Sequence, residues 1–120
     1  MRIAITAQGA DRTSEVDPRF GRAKFFIVVD TEAGTFVSHD NAQNLNAPQG
    51  AGIQAAQNVV ELDVEALITG NVGPKAFATL QVGGIKIYIG ATGSVESAVE
   101  QFEAGRLECV TEANVEGHWV

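Results

Sequence analysis

Sulfur and imidazole are scarce in this chain of 120 residues, which has one cysteine, Cys109, and two histidines, His39 and His118. A single thiol excludes an internal disulfide and any site built from several thiolates of one subunit. Neither H-x-x-x-H nor C-x-x-C spacing occurs, so a permanent zinc centre made by one chain is not expected. Cationic charge is short as well: eight Lys and Arg stand against fifteen Asp and Glu, a net charge of −7. That balance argues against general electrostatic binding to nucleic acid or to an anionic membrane. No apolar run approaches the roughly 20 residues that cross a bilayer, and the short run from Met1 to Thr6 turns polar too soon for a secretory signal. The chain is therefore read as cytoplasmic. Hydrolytic signatures are missing too, with no G-x-S-x-G elbow and no acidic residue in the first strand for a two-metal site, so catalysis is not expected.

What is present is a sequence of α/β type, long enough to bury a core of its own as one domain over residues 1–120. Arg2 to Ala7 alternates β-branched and small residues and predicts a strand. Lys24 to Asp30 and Thr35 to His39 predict an antiparallel hairpin around the tight connection Thr31-Glu32-Ala33-Gly34. Apolar residues at helical spacing predict a helix over 51–62, and Ala66-Leu67-Ile68 reads as a short strand covered on both faces. Pro74 suits the first position of a helix that runs to Val82 and ends at Gly83-Gly84 with a left-handed cap. Ile85 to Ile89 predicts a further strand, and Ser94 caps a last helix that ends at Gly105. The tail beyond Arg106 is too short for another domain and leaves an edge strand or an ordered tail, loosely attached from about residue 108. The expected architecture is a three-layer α/β/α sandwich around a five-stranded mixed sheet of order 3-2-1-4-5.

Two long polar stretches interrupt this pattern. Gln8 to Arg22 collects turn-forming residues in a loop long enough to suggest function or mobility, and Asp40 to Gly50 is Asn-rich with too little apolar content to pack. Within the first, Asp17-Pro18-Arg19-Phe20-Gly21-Arg22 carries a turn in which Asp17 caps and Phe20 plugs the core. Arg19 and Arg22 are candidate ligand contacts, because guanidinium forks suit carboxylate or phosphate. Gly50-Ala51-Gly52-Ile53-Gln54-Ala55 matches the dinucleotide pattern G-x-G-x-x-A but follows a polar loop instead of a strand, so no nucleotide is expected there. Its glycines, Gly50 and Gly52, either let the helix start pack closely or present N–H groups to an anion. Gly70-Asn71-Val72-Gly73-Pro74-Lys75 is not a phosphate loop, because Pro74 removes a donor and Ala76 stands where a Ser or Thr belongs. It reads as a strand-to-helix turn, with anion contact at the helix end as the rival reading. Cys109 reads as a small buried hydrophobe.

Four ordered segments carry a resemblance: Val16-Asp17-Pro18-Arg19-Phe20-Gly21-Arg22-Ala23, Gly50-Ala51-Gly52-Ile53, Ile68 to Ala76 through Gly70-Asn71-Val72-Gly73, and the strand from Gly84-Ile85 to Tyr88. Together they resemble the dinitrogenase iron-molybdenum cofactor biosynthesis family, in the form of a small stand-alone member. The resemblance implies a ribonuclease-H-like fold and a non-catalytic role in binding or carrying an iron-sulfur or iron-molybdenum cofactor-type cluster, or its precursor, bound transiently. It also implies a cluster-assembly or acceptor protein as partner, with no nucleic acid and no membrane. The site expected on this reading lies over the ends of the first and fourth strands. Its walls are the Arg19/Arg22 loop, the Gly50 to Gly52 helix start and the turn of Gly70, Asn71 and Gly73, and His39 is the candidate iron ligand. The alternatives are a protein–protein adaptor, a small anionic-metabolite binding protein unrelated to nitrogenase, and a small enzyme acting on such a metabolite.

Overall fold

A computed structural model of the chain describes residues 1–41 and 51–111. The elements follow in the order β1 (Arg2–Ala7), β2 (Phe25–Asp30), β3 (Thr35–Asp40), α1 (Ala51–Glu61), β4 (Ala66–Ile68), α2 (Pro74–Val82), β5 (Lys86–Ile89), α3 (Val95–Glu103) and β6 (Glu108–Val110). They form one mixed sheet of order β3-β2-β1-β4-β5-β6. β1 is parallel to β4 and β4 to β5, while β2, β3 and β6 join antiparallel at the flanks. The expected order therefore holds, and the sheet has six strands instead of five. The sixth comes from the tail, where Tyr88 pairs with Cys109 and Ile89 with Glu108 along the exposed edge of β5. A three-residue strand leaves too short a period to separate from loop by pattern alone.

Alternation along the strands sends side chains to two apolar layers. Ala4, Phe26, Val28, Leu67 and Ile87 face α1 and α2, packing on Ala56, Val59, Phe77 and Leu80. Ile3, Ile5, Ile27, Val29 and Ile68 face the other way, onto Val95, Ala98 and Val99 of α3. β1 and β4 are buried on both faces, which is why they read as near-continuous apolar runs.

The helices stop where glycine permits it. After α2, Gly84 at φ 77° lets its own N–H reach Gln81 O (3.0 Å) and the Ile85 N–H reach Leu80 O (3.1 Å). Gly105 at φ 72° does the same after α3, with Arg106 N–H donating to Gln101 O at 2.9 Å. Both are Schellman caps, and the left-handed residue after α2 is Gly84 alone, since Gly83 stays right-handed at φ −75°. At the same end of the sheet as Gly84, Arg2 holds the carbonyls that follow α1, donating to Leu62 O at 2.7 Å and to Asp63 O at 3.1 Å.

Candidate functional site

The carboxyl ends of β1 and β4 lie side by side at the centre of the sheet, where the chain leaves β1 toward β2 and leaves β4 toward α2. Open α/β sheets bind ligands in the crevice outside such a switch point. Two segments meet there. The arm after β1 is bridged backbone to backbone at Ala7 with Val16 and at Glu15 with Ser94, and Arg19 pairs in parallel with Asn71. The Asn71 N–H donates to Pro18 O at 2.8 Å, and its side-chain amide approaches the same oxygen at 3.4 Å. The 8–22 stretch, expected to be functional or mobile, is thus fastened at several points along its length. Val16 N–H donates to Gly93 O and Val95 N–H to Ser14 O, which tie it to the start of α3.

Inside the arm, Asp17 is buried and its Oδ1 accepts the Arg19 N–H at 3.0 Å, forming the expected turn. Phe20 is fully buried against Phe26, with ring centroids 5.7 Å apart. Capped in front and plugged behind, Arg19 is left with its guanidinium exposed and its Nε 3.9 Å from Asp17 Oδ1. Arg22 follows three residues later and is partly buried.

Gly70 is explained by its neighbour: a Cβ there would sit 2.6 Å from Pro18 Cα and 2.7 Å from Pro18 O. Its smallness serves the close approach of the two segments. Gly73 is the residue before α2, with no side chain capping the helix and Pro74 in its first turn. The N–H groups of that turn before Phe77, whose own N–H donates to Gly73 O, have no acceptor within the helix, and the helix dipole adds partial positive charge there. Gly52 is buried in the first turn of α1. Gly50 and His118 lie outside the described residues.

His39 stands at the same end of the sheet, paired with Phe26 on β3. With β2 and β1 between β3 and β4, it lies roughly 14 Å across the sheet from the Gly70–Gly73 turn at ordinary strand spacing. The structure joins Arg19, Gly70 and Asn71 directly and leaves His39 to the side. Among the described residues no group of three or more His, Cys, Asp and Glu side chains is placed to hold a metal ion. Cys109 is exposed on β6, a correction to its expected burial, because an added edge strand has one open side.

Charge of both signs collects here: Arg19, Arg22, Lys24 and Lys75 belong to this end of the sheet, and so do Glu15, Asp17 and Asp40, whereas Asp30, Glu32, Glu61, Asp63 and Glu65 stand with Arg2 and Lys86 at the other. Arg12 is engaged, 3.6 Å from Glu96 and stacked 5.9 Å over Phe36.

Pattern reading missed three polar residues at this end. Thr6 and Thr69 are fully buried at the ends of β1 and β4, 2.9 Å apart through their hydroxyls. Asn41, assigned to a loop unable to pack, is also buried and donates to Ala23 O at 2.8 Å. A threonine inside or just after an apolar strand carries no signal of its burial until the partner strand is known.

The family model described as dinitrogenase iron-molybdenum cofactor matches residues 1–105. The chain belongs to this family. Among solved structures it is similar to the apo form of the orange protein of Desulfovibrio gigas, with 41% identity, a TM-score of 0.92, and 95% of this chain and 96% of that one covered. It is also similar to a NifB-like protein of Thermotoga, with 40% identity, a TM-score of 0.83 and coverage of 97% and 98%. An uncharacterised protein of Methanocaldococcus jannaschii is 31% identical over 110 residues, 90% of each chain. Family membership and these neighbours point to a small cluster- or cofactor-related binding protein. Among the described residues no helix is long and apolar enough to cross a membrane.

Proposed function

We propose that this protein binds and carries an anionic iron-sulfur or iron-molybdenum cofactor-type cluster, or its precursor, without transforming it. The observation that carries the reading is the pairing of Arg19 with Asn71, which sets an exposed guanidinium beside the uncapped start of α2. Arginine forks and helix N–H groups both favour anions, and neither requires metal ligation by the protein. The donor set fits such cargo: a cluster held through its sulfides or outer ligands needs N–H donors, and those are what this end of the sheet offers. Arg22 and Gly73 complete the wall, Gly52 stands in the first turn of the facing helix with Gly50 preceding it in the sequence, and His39, at the same end of the sheet, is the candidate iron ligand. Family membership and the apo form of the orange protein support a cofactor as the cargo.

The test is anaerobic mixing of the protein with a water-soluble synthetic iron-sulfur cluster dianion, followed by native mass spectrometry and visible absorption. One cluster per chain is expected, with the adduct lost in Arg19→Ala/Arg22→Ala and its spectrum altered in His39→Ala. An adduct unchanged in all of these variants would place the cargo elsewhere.

A second reading is favoured by one surface. Val82 is 90% exposed at the end of α2, beside Val60 of α1, over a groove of about 310 Å³. An adaptor that meets an assembly or acceptor protein through this face would be captured with that partner in the absence of any cluster.

A further inference from the structure

β1 and β4 are in register with Ile5 beside Ile68, so the next residues, Thr6 within β1 and Thr69 just after β4, stand beside each other. Both are fully buried on the side of the sheet that carries α1 and α2. Thr6 Oγ1 lies 2.7 Å from Asp17 O and 2.9 Å from Thr69 Oγ1. A hydroxyl has one proton, and a carbonyl oxygen can only accept. The Thr6 proton therefore goes to Asp17 O, and the Thr69 hydroxyl supplies the proton between the two threonines. Thr6 also accepts the Asp17 N–H on its own carbonyl at 2.9 Å, so both backbone polar groups of Asp17 are held by one residue.

From Asp17 the contacts close on themselves. Its carboxylate fixes the Arg19 N–H, the next carbonyl, Pro18 O, accepts the Asn71 N–H, and Asn71 is two residues beyond Thr69. Gly70 sits inside this ring, pressed against Pro18. Among the described residues every buried side-chain oxygen and nitrogen has a hydrogen-bond partner. Removing the Thr6 hydroxyl would strand the Asp17 carbonyl in the interior, a larger loss than the bond itself.

We infer that Thr6 and Thr69 are positioning residues of the candidate site: they lock the arm that carries Arg19 to the turn that begins α2, so that guanidinium and helix start are held as one preorganised anion-binding unit. The inference rests on the carrier reading for its purpose, and the lock itself can be tested without any cargo. Proton accounting orders the two threonines. Thr6→Val leaves Asp17 O without a donor, whereas Thr69→Val leaves Thr6 free to donate as before.

The experiment is amide hydrogen exchange by NMR on the full chain, without cluster, followed by cluster titration of the same variants. In Thr6→Val the amides of Asp17 and Asn71 should exchange at least about tenfold faster, with those of Ile27 and Ala98 unchanged. Thr69→Val should give a smaller change, and Thr6→Ser, which keeps the hydroxyl, should restore protection. Affinity for the synthetic cluster should fall about tenfold in Thr6→Val and recover in Thr6→Ser. Protection of the Asn71 amide within twofold of wild type in Thr6→Val would overturn the inference, as would failure of Thr6→Ser to restore it, or equal loosening of the Ile27 and Ala98 amides. If the exchange pattern holds and the wild-type chain binds no cluster, the lock stands and the carrier reading falls.

Discussion

Pro18 and Gly70 are packed backbone to backbone, so closely that a methyl group on Gly70 would lie 2.6 Å from Pro18 Cα. Neither atom belongs to a flexible side chain, so the overlap can be relieved only by parting the arm from the β4–α2 turn. Gly70→Ala should therefore cost about 2 kcal/mol, the range of overpacking in a tight contact. Gly84→Ala tests a different physics: nothing crowds that site, and the cost of about 1 kcal/mol is that of a left-handed backbone carrying a side chain. Urea midpoints measure both. Gly70→Ala should in addition disturb the Asn71 amide resonance, which Gly84→Ala should leave in place.

Ser94 begins α3 with its Oγ accepting the Ser97 N–H at 3.1 Å. Its backbone also bridges to Glu15 of the arm. Ser94→Ala removes only the side-chain cap and should lower stability by about 1 kcal/mol in denaturant unfolding. Ser94→Asp, which caps as well and places negative charge at the helix start, should retain wild-type stability.

Tyr88 is partly buried on β5, edge-on to Phe102 at 4.9 Å and opposite Cys109. Burial, then the charge of the Cys109 thiolate and its bond to the phenol, raise the Tyr88 pKa above the ordinary 10.0. Because the folded value lies above the unfolded one, this group's contribution to stability is complete below pH 10 and is lost as pH rises through the folded value. Ultraviolet titration can follow it directly, since the chain has one tyrosine. Cys109→Ala should bring the midpoint down while leaving it above the ordinary value, because burial is the largest cause. A midpoint unmoved by that substitution would show that the thiol is not a partner of the phenol.

The parts of the fold that pattern revealed are those with a strong period or a punctuating residue. Ala66–Ile68 and Pro74–Val82 are found where an apolar run, Pro74 and the paired glycines placed them. β6 was left open between an edge strand and an ordered tail because Glu108-Cys109-Val110 is held by pairing with β5, a tertiary contact that leaves little mark on three residues. At the site, Arg19, Gly70 and Asn71 were legible as chemistry that does not suit a bland loop. Thr6 and Thr69 were not, since a buried threonine has no sequence signature until its partner strand is known. Gly70 was legible as part of a strand-to-helix turn, with anion contact as the rival reading, whereas the neighbour that its lack of a side chain admits, Pro18, could not be read from the sequence.

The central claim is that local N–H and guanidinium donors at the ends of β1 and β4, and not net charge, hold the cargo. Affinity of the synthetic cluster dianion for Arg19→Ala/Arg22→Ala should be compared, at one salt concentration, with that for Arg2→Ala/Lys86→Ala, which removes the same charge at the opposite end of the sheet. The account predicts at least about a tenfold loss in the first pair and a change within about twofold in the second, as expected for charge-assisted bonds against screened distant charges. Equal losses in the two pairs would contradict it.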